Sequence, residues 1–260
     1  MKMKQKLIEY RIWAFMLVIT TVMTVALAVC AIAAPNISPD QRDQLKSLAI
    51  ETRRKAGIER KAIMFARTDL ARVYWNYDID DHKANAAMDR LDKAQQDLLN
   101  IHFDSQVQIR RVLNEDQFNH LRSKIGRQHN GFGAGFTPRL DDPMDKALQN
   151  SLQGNSDLKK RLAGQKNLIN KRNELARKIG RDAKQMANLY SQYNLDEAAV
   201  QKLITSIHSK QNQLSDINHK RQQQIRSVLS ESEFVKLRDT ASQKIKQDGR
   251  FGRKQWRNGG

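Results

Sequence analysis

Slid along itself by 116 residues, the chain aligns 74–122 with 190–238 without a gap, and 16 of the 49 pairs are identical. Unrelated segments of this composition share about three, so the chain reads as a tandem duplication of one folding unit. The matches include Tyr74 with Tyr190, Tyr77 with Tyr193, Asp80 with Asp196, Leu98 with Leu214 and Ile101 with Ile217. A denser block follows, in which Ile109, Arg110, Val112, Leu113, Glu115, Phe118, Leu121 and Arg122 recur as Ile225, Arg226, Val228, Leu229, Glu231, Phe234, Leu237 and Arg238. Whatever the first copy folds into, the second must be able to repeat.

That unit is helical. Only four prolines and 12 glycines interrupt a chain rich in Ala, Leu, Gln, Lys, Arg and Asp, and aromatics make up 6%. Alternating β-branched runs are missing, so a sheet has nowhere to start. Ile79, Ala84, Ala87, Met88, Leu91, Leu98, Ile101, Ile109 and Val112 keep mainly three-, four- and seven-residue spacing after a cap at Asp80, and the second copy repeats the stripe after Asp196. The expected fold is all-α: two tandem helical-hairpin modules, each with a long central helix and a short C-terminal one. Module one covers 36–127 and module two 143–246, joined by a glycine-containing linker at 128–142. The stripe thins over His102–Gln108 and Asn218–Gln224, which predicts a loosely packed half of each long helix.

The ends set the compartment. Lys2, Lys4, Lys6 and Arg11 precede an uncharged apolar stretch, Ile12 to Ala34, that closes on Ala31-Ile32-Ala33. Residues 1–34 therefore read as a secretory signal cut after Ala33, or as an uncleaved anchor, since about 23 residues at ~1.5 Å each span a bilayer. Either way the body is exported. Cys30, the only cysteine, lies within this stretch, which leaves the body neither a disulfide nor a thiolate metal site. Residues 247–260 read as a basic disordered tail.

Three short boxes carry helix-start chemistry. In Ile37-Ser38-Pro39-Asp40-Gln41, Leu113-Asn114-Glu115-Asp116-Gln117 and Leu229-Ser230-Glu231-Ser232-Glu233, a short polar residue can cap while the residue three later reaches back. Ser38, Asn114 and Ser230 are the expected caps, and Gln41, Gln117 and Glu233 their partners. A helix-starting Leu-Thr-x-x-Gln box before the first and last helices of a small exported module resembles the Spy and CpxP family of periplasmic stress proteins. A fourth box, expected near Gln153 to Asp157, has decayed. The resemblance spans most of 37–127 and the later part of 143–246. It implies an ATP-independent periplasmic chaperone without a cofactor, with an envelope-stress regulator or a metal sensor such as CnrX or ZraP as the alternative.

Site chemistry separates these readings. Metal sensing needs clustered imidazoles, yet His82, His102, His120, His129, His208 and His219 include no pair three or four residues apart, and none recurs in the other copy. No metal ligand set is assigned. The formal charge of +18, still +15 once residues 1–33 are removed, favours acidic partners. Arg54, Lys55, Arg60, Lys61, Arg67 and Arg72 are interleaved with Ile58, Ile63, Met64 and Phe65; Lys171, Arg172, Arg177, Lys178 and Arg181 occupy the corresponding stretch of the second module. The resemblance implies a cradle mixing positive charge and apolar side chains. On that basis Ile63, Met64, Phe65 and these cations are the candidate contacts for unfolded or acidic clients, with an anionic membrane surface as a further partner. The duplicated chain would act as a monomeric pseudo-dimer or as a homodimer. Nucleic acid is not expected, because no zinc-finger, ribonucleoprotein or helix-turn-helix pattern accompanies the charge. The chain lacks a Gly-rich phosphate loop, a His-Glu-x-x-His run and a nucleophile elbow, so no enzymatic role is assigned.

Overall fold

A computed structural model describes residues 37–126 and 156–242, and every regular element among them is an α-helix. The apolar N-terminal stretch, the 128–142 linker, the beginning of module two with most of the decayed box, and the basic tail lie outside the described residues. Module one contains α1 (Pro39–Val73), α2 (Asp81–Val112) and α3 (Glu115–Gly126); module two contains α4 (Ser156–Arg161), α5 (Gln165–Leu189), α6 (Glu197–Val228) and α7 (231–242). Helices α2 and α6 start and stop 116 residues apart, and each has 32 residues, about 48 Å at 1.5 Å per residue. No helix among the described residues is long and apolar enough to cross a membrane.

Local chemistry places the ends. Ser38 Oγ accepts from the Gln41 amide at 3.2 Å and Gln41 Oε1 accepts from the Ser38 amide at 3.1 Å, with Pro39 at the first helical position, where no N–H is needed. Asn114 and Gln117 exchange the same pair of bonds at 2.9 and 3.1 Å, and Ser230 and Glu233 at 3.3 and 2.8 Å. Asp80 and Asp196 start the long helices by accepting from the amides of Lys83 and Ala199 at 3.0 and 2.9 Å.

The boxes also join elements. Gln41 Nε2 donates to the Val112 carbonyl at 2.7 Å and to Gln117 Oε1 at 3.1 Å, which ties the start of α1 to the α2–α3 corner. Module two has Asp157 in place of Gln41. There Arg161, one turn later, donates to the Val228 carbonyl and to both carboxylate oxygens of Glu233, each at 3.0 Å. A charged tie has replaced an amide tie at the same corner. The Arg161 guanidinium, and after it the Ser230 amide, hold the Glu233 carboxyl down at about 2.

Helix α1 runs unbroken, whereas its counterpart is interrupted at 162–164 between α4 and α5. Beside the interruption Gln165 and Arg221, 3% and 2% exposed, bond to one another at 3.3 Å. The equivalent positions of module one hold Ala49 and Ser105, both small and buried. A buried Gln–Arg pair needs room that a straight helix would occupy. The break also brings Gly164 against Gln224, whose Nε2 would lie 2.4 Å from a Cβ at that position.

Two outcomes follow for the terminal helices. Ser230→Ala should destabilise α7 by about 1 kcal/mol in denaturant titration, because it removes the cap acceptor. Acid should act on the α7 corner and spare the α3 corner. Glu233 titrates in the folded protein at about 2 rather than at 4.5, so its tie contributes stability above pH 4.5 and loses it as pH falls through about 2. Gln41 and Gln117 do not titrate. Amide exchange between pH 4.5 and 2 should therefore show protection lost in α7 before α3.

Candidate functional site

The residues that recur most densely are those through which the modules hold one another. Helix α1 ends on Val73 with Tyr74 as its C-cap, and Arg226 of the other module reaches this end. Its Nη2 donates to the Tyr74 carbonyl at 2.5 Å and to the Asn76 carbonyl at 2.8 Å, and its Nε to Asn76 at 3.0 Å. Arg110 does the same to the end of α5, with Nη2 on the Tyr190 and Gln192 carbonyls at 2.8 and 2.7 Å and Nε on the Tyr193 carbonyl at 3.0 Å. Carbonyls left without intrahelical partners, at the negative end of a helix dipole, suit a guanidinium.

Each arginine is itself held. Gln222 and Gln106, one turn earlier, each supply a backbone and a side-chain oxygen to Nη1 of Arg226 and Arg110. Phe234 and Phe118 lie under the two guanidinium carbons at 4.4 and 4.5 Å, within cation–π range. Tyr77 of module one packs on Phe234 and donates to the Leu229 carbonyl at 2.8 Å; Tyr193 of module two packs on Phe118 and donates to the Leu113 carbonyl at 3.1 Å. Burial pulls both guanidinium groups down to about 10, which leaves them charged at neutral pH.

These contacts come twice with the modules exchanged, the signature of a pseudo-twofold arrangement. Helices α2 and α6 run antiparallel: Asp81 meets His219 at 3.3 Å and Asp92 meets His208 at 2.7 Å. Asp92 and His208 are equivalent positions of the repeat, so their contact marks the axis. A module paired with its own copy would place like residues there.

The polar middle of each long helix is a correction to the sequence reading. Instead of being loosely packed, it holds Ser105 and Gln106 at 8% and 9% exposure and Arg221 and Gln222 at 2% and 7%. Apolar periodicity cannot report a seam closed by polar side chains.

The outer face of α1 is different. Leu45, Ala49, Thr52, Ala56, Ile63, Ala66 and Val73 form its buried stripe. On the opposite side Ile50, Ile58 and Phe65 are 62%, 54% and 61% exposed, more open than any other large apolar side chain among the described residues. At 100° per residue they fall within about 80° of arc, with Arg54 and Lys61 inside the same arc. Lys55 is held by Glu51 at 2.7 Å and Arg72 by Asp69 at 3.2 Å, whereas Arg54 and Lys61 are exposed and form no ion pair among the described residues.

The candidate contacts thus divide. Arg54, Lys55, Lys61, Phe65, Arg67, Arg72, Lys171, Arg177 and Arg181 are exposed; Arg60, Met64 and Lys178 are half-buried. Two are corrected. Ile63, 4% exposed, packs with Ala66, Leu91 and Ala94 in the core, and Arg172 is 8% exposed, so neither can meet a client while the protein is folded. Lys178 pairs with Glu174. Arg60 leans toward α2, where burial and the Arg60 charge push the His102 imidazole down to about 4. Ile50 escaped the sequence reading although its signal was present, an isoleucine at a polar-face angle of an amphipathic helix. Among the described residues, no group of three or more His, Cys, Asp or Glu side chains is placed to hold a metal.

Arg226→Met keeps the length and apolar packing of the clasp but leaves the Tyr74 and Asn76 carbonyls without their donor. The expected loss is about 2 kcal/mol in urea titration, with Tyr77→Phe costing about 1 kcal/mol.

No family model, no curated protein and no solved structure matches the chain.

Proposed function

We propose that the protein is an ATP-independent periplasmic chaperone that holds unfolded or aggregation-prone polypeptides. The observation that carries this reading is the outer face of α1, where Ile50, Ile58 and Phe65 stand exposed beside the uncommitted cations Arg54 and Lys61. Exposed apolar side chains retain a client by losing water on contact, while cations speed its approach when it is acidic. Nothing in such a face needs a nucleotide. The helix-start boxes and the paired-module architecture are in keeping with the family resemblance drawn from the sequence.

The test is suppression of aggregation of an unfolded acidic protein, without ATP and with a chelator present. Undiminished suppression supports the chaperone; stoichiometric zinc binding with no suppression moves the assignment to the metal-sensing branch. Arg54→Gln with Lys61→Gln should slow capture in stopped flow more than it changes release, because charge steers encounter and apolar contact sets residence. The difference should shrink as added salt shortens the field to about 8 Å near physiological ionic strength. Capture rates indifferent to both salt and the substitutions would exclude this face.

A further inference from the structure

We infer that the chain carries a single docking seam, on α1 of the first module, for an acidic amphipathic helix presented by a client, and that the second module lacks the equivalent seam. This rests on the chaperone reading for the client and adds the form of the ligand and its one-sidedness.

Spacing defines the ligand. Ile50, Ile58 and Phe65 lie eight and seven residues apart, so successive apolar side chains are separated by about 12 and 10.5 Å along the helix. Those are two-turn intervals, and Arg54 and Lys61 fall near the middle of each. A helix laid alongside repeats its own face at the same two-turn interval and can set an apolar residue against each anchor and a carboxylate against each cation. An extended strand repeats its face every 6.6 Å or so, and its nearest match, four residues or about 13 Å, drifts out of step over two intervals. A bilayer takes up a continuous apolar strip more readily than three anchors separated by cations, with Asp43 and Glu51 on their flank.

Gly57 adds a second observation. It sits in the interior of α1 between Arg54 and Lys61, and a Cβ there would have no neighbour within 4 Å. Among the described residues nothing requires a glycine at this position, although glycine weakens a helix interior relative to alanine. Its missing side chain leaves a notch on the edge of the seam, midway along it, open to a partner's side chain.

The second module keeps a cation at the place of Lys61, Arg177, but has neither the apolar anchors nor the glycine. At the positions equivalent to Ile50, Gly57, Ile58 and Phe65 it carries Lys166, Asn173, Glu174 and Arg181. Lys166, Glu174 and Arg181 are exposed, so their identity is not dictated by the core. The residues that clasp the modules are alike while the outer faces differ, which leaves one seam on each chain.

The test uses the full-length chain and two synthetic peptides, a 21-residue helix with leucine every seven to eight residues and glutamate midway, and a scramble of the same composition. Isothermal titration should give one designed peptide per chain and at least tenfold weaker binding of the scramble. Ile50→Ser/Ile58→Ser/Phe65→Ser should lower affinity at least about tenfold, with circular dichroism unchanged because all three side chains are exposed. Lys166→Ser/Asn170→Ser/Glu174→Ser, at the exposed positions equivalent to Ile50, Arg54 and Ile58, should leave it unchanged. Gly57→Ala should raise the melting temperature while weakening the peptide, a split that a structural role alone would not produce. Two peptides per chain, equal loss from either triple variant, or equal binding of the scramble would overturn the seam. So would sedimentation with phosphatidylglycerol vesicles that the first triple variant abolishes while the peptide fails to bind. Aggregation suppression in the same proteins separates the two readings: suppression without peptide binding removes the seam and keeps the chaperone, whereas one-to-one peptide binding without suppression keeps the seam and removes the chaperone.

Discussion

A guanidinium seated on the C-terminal end of a helix from the other module is the interaction on which the rest depends. Arg226 and Arg110 each gather carbonyl oxygens from a tyrosine turn, a glutamine one turn earlier and the face of a phenylalanine. No carboxylate is involved. The charge is balanced by dipoles that the helix end presents in any case, so the clasp satisfies carbonyls that would otherwise need water or a cap. Because the tyrosine turn also closes the hairpin of its own module, the fold of each half and the joining of the halves rest on the same few residues.

The pseudo-twofold arrangement explains which parts of the repeat stayed alike. Clasp residues are used twice in the same role, and a change in either copy breaks one of two equivalent contacts. Positions at the axis or away from the interface are under no such restraint. Asp92 and His208 make a carboxylate–imidazole contact that identical modules could not make, since a symmetric pairing would bring two carboxylates or two imidazoles together. At the α1 corner Gln41 with Gln117 has its counterpart in Arg161 with Glu233, and Ala49 with Ser105 has its counterpart in Gln165 with Arg221. These last two pairs lie within one module each, whereas the Asp92–His208 contact lies between the two. The same freedom extends to the outer surface, where the first module keeps an apolar and cationic helix face and the second bears charge.

Much of this could be read in the sequence because it is local. The 116-residue repeat, the helical period, the caps at Asp80 and Asp196 and the boxes at Ser38, Asn114 and Ser230 depend on residues within a turn or two of one another. Hydrogen-bond reach and the 3.6-residue period are enough to place them. Arg110, Tyr77, Phe118 and their copies also stood out as identities. What they touch did not, since contacts between residues some 80 to 150 positions apart leave no mark in local spacing.

Tertiary structure decided the fate of polar and apolar residues that local rules misplace. Gln106, Arg221 and Gln222 fall in the stretch read as loosely packed, yet they are buried: Gln106 and Gln222 each hold the clasp arginine one turn later on their own helix, and Arg221 meets Gln165 of α5. Ile63 and Phe65 are two residues apart and equally apolar, but one faces α2 and the other faces solvent, a difference fixed by the angle at which α1 packs. Sequence determined that this chain would be helical and basic, because those properties are sums over residues or over single turns. Which side chains are left on the surface to meet a partner depends on how whole helices dock, and that is settled only when distant helices compete for the same buried area.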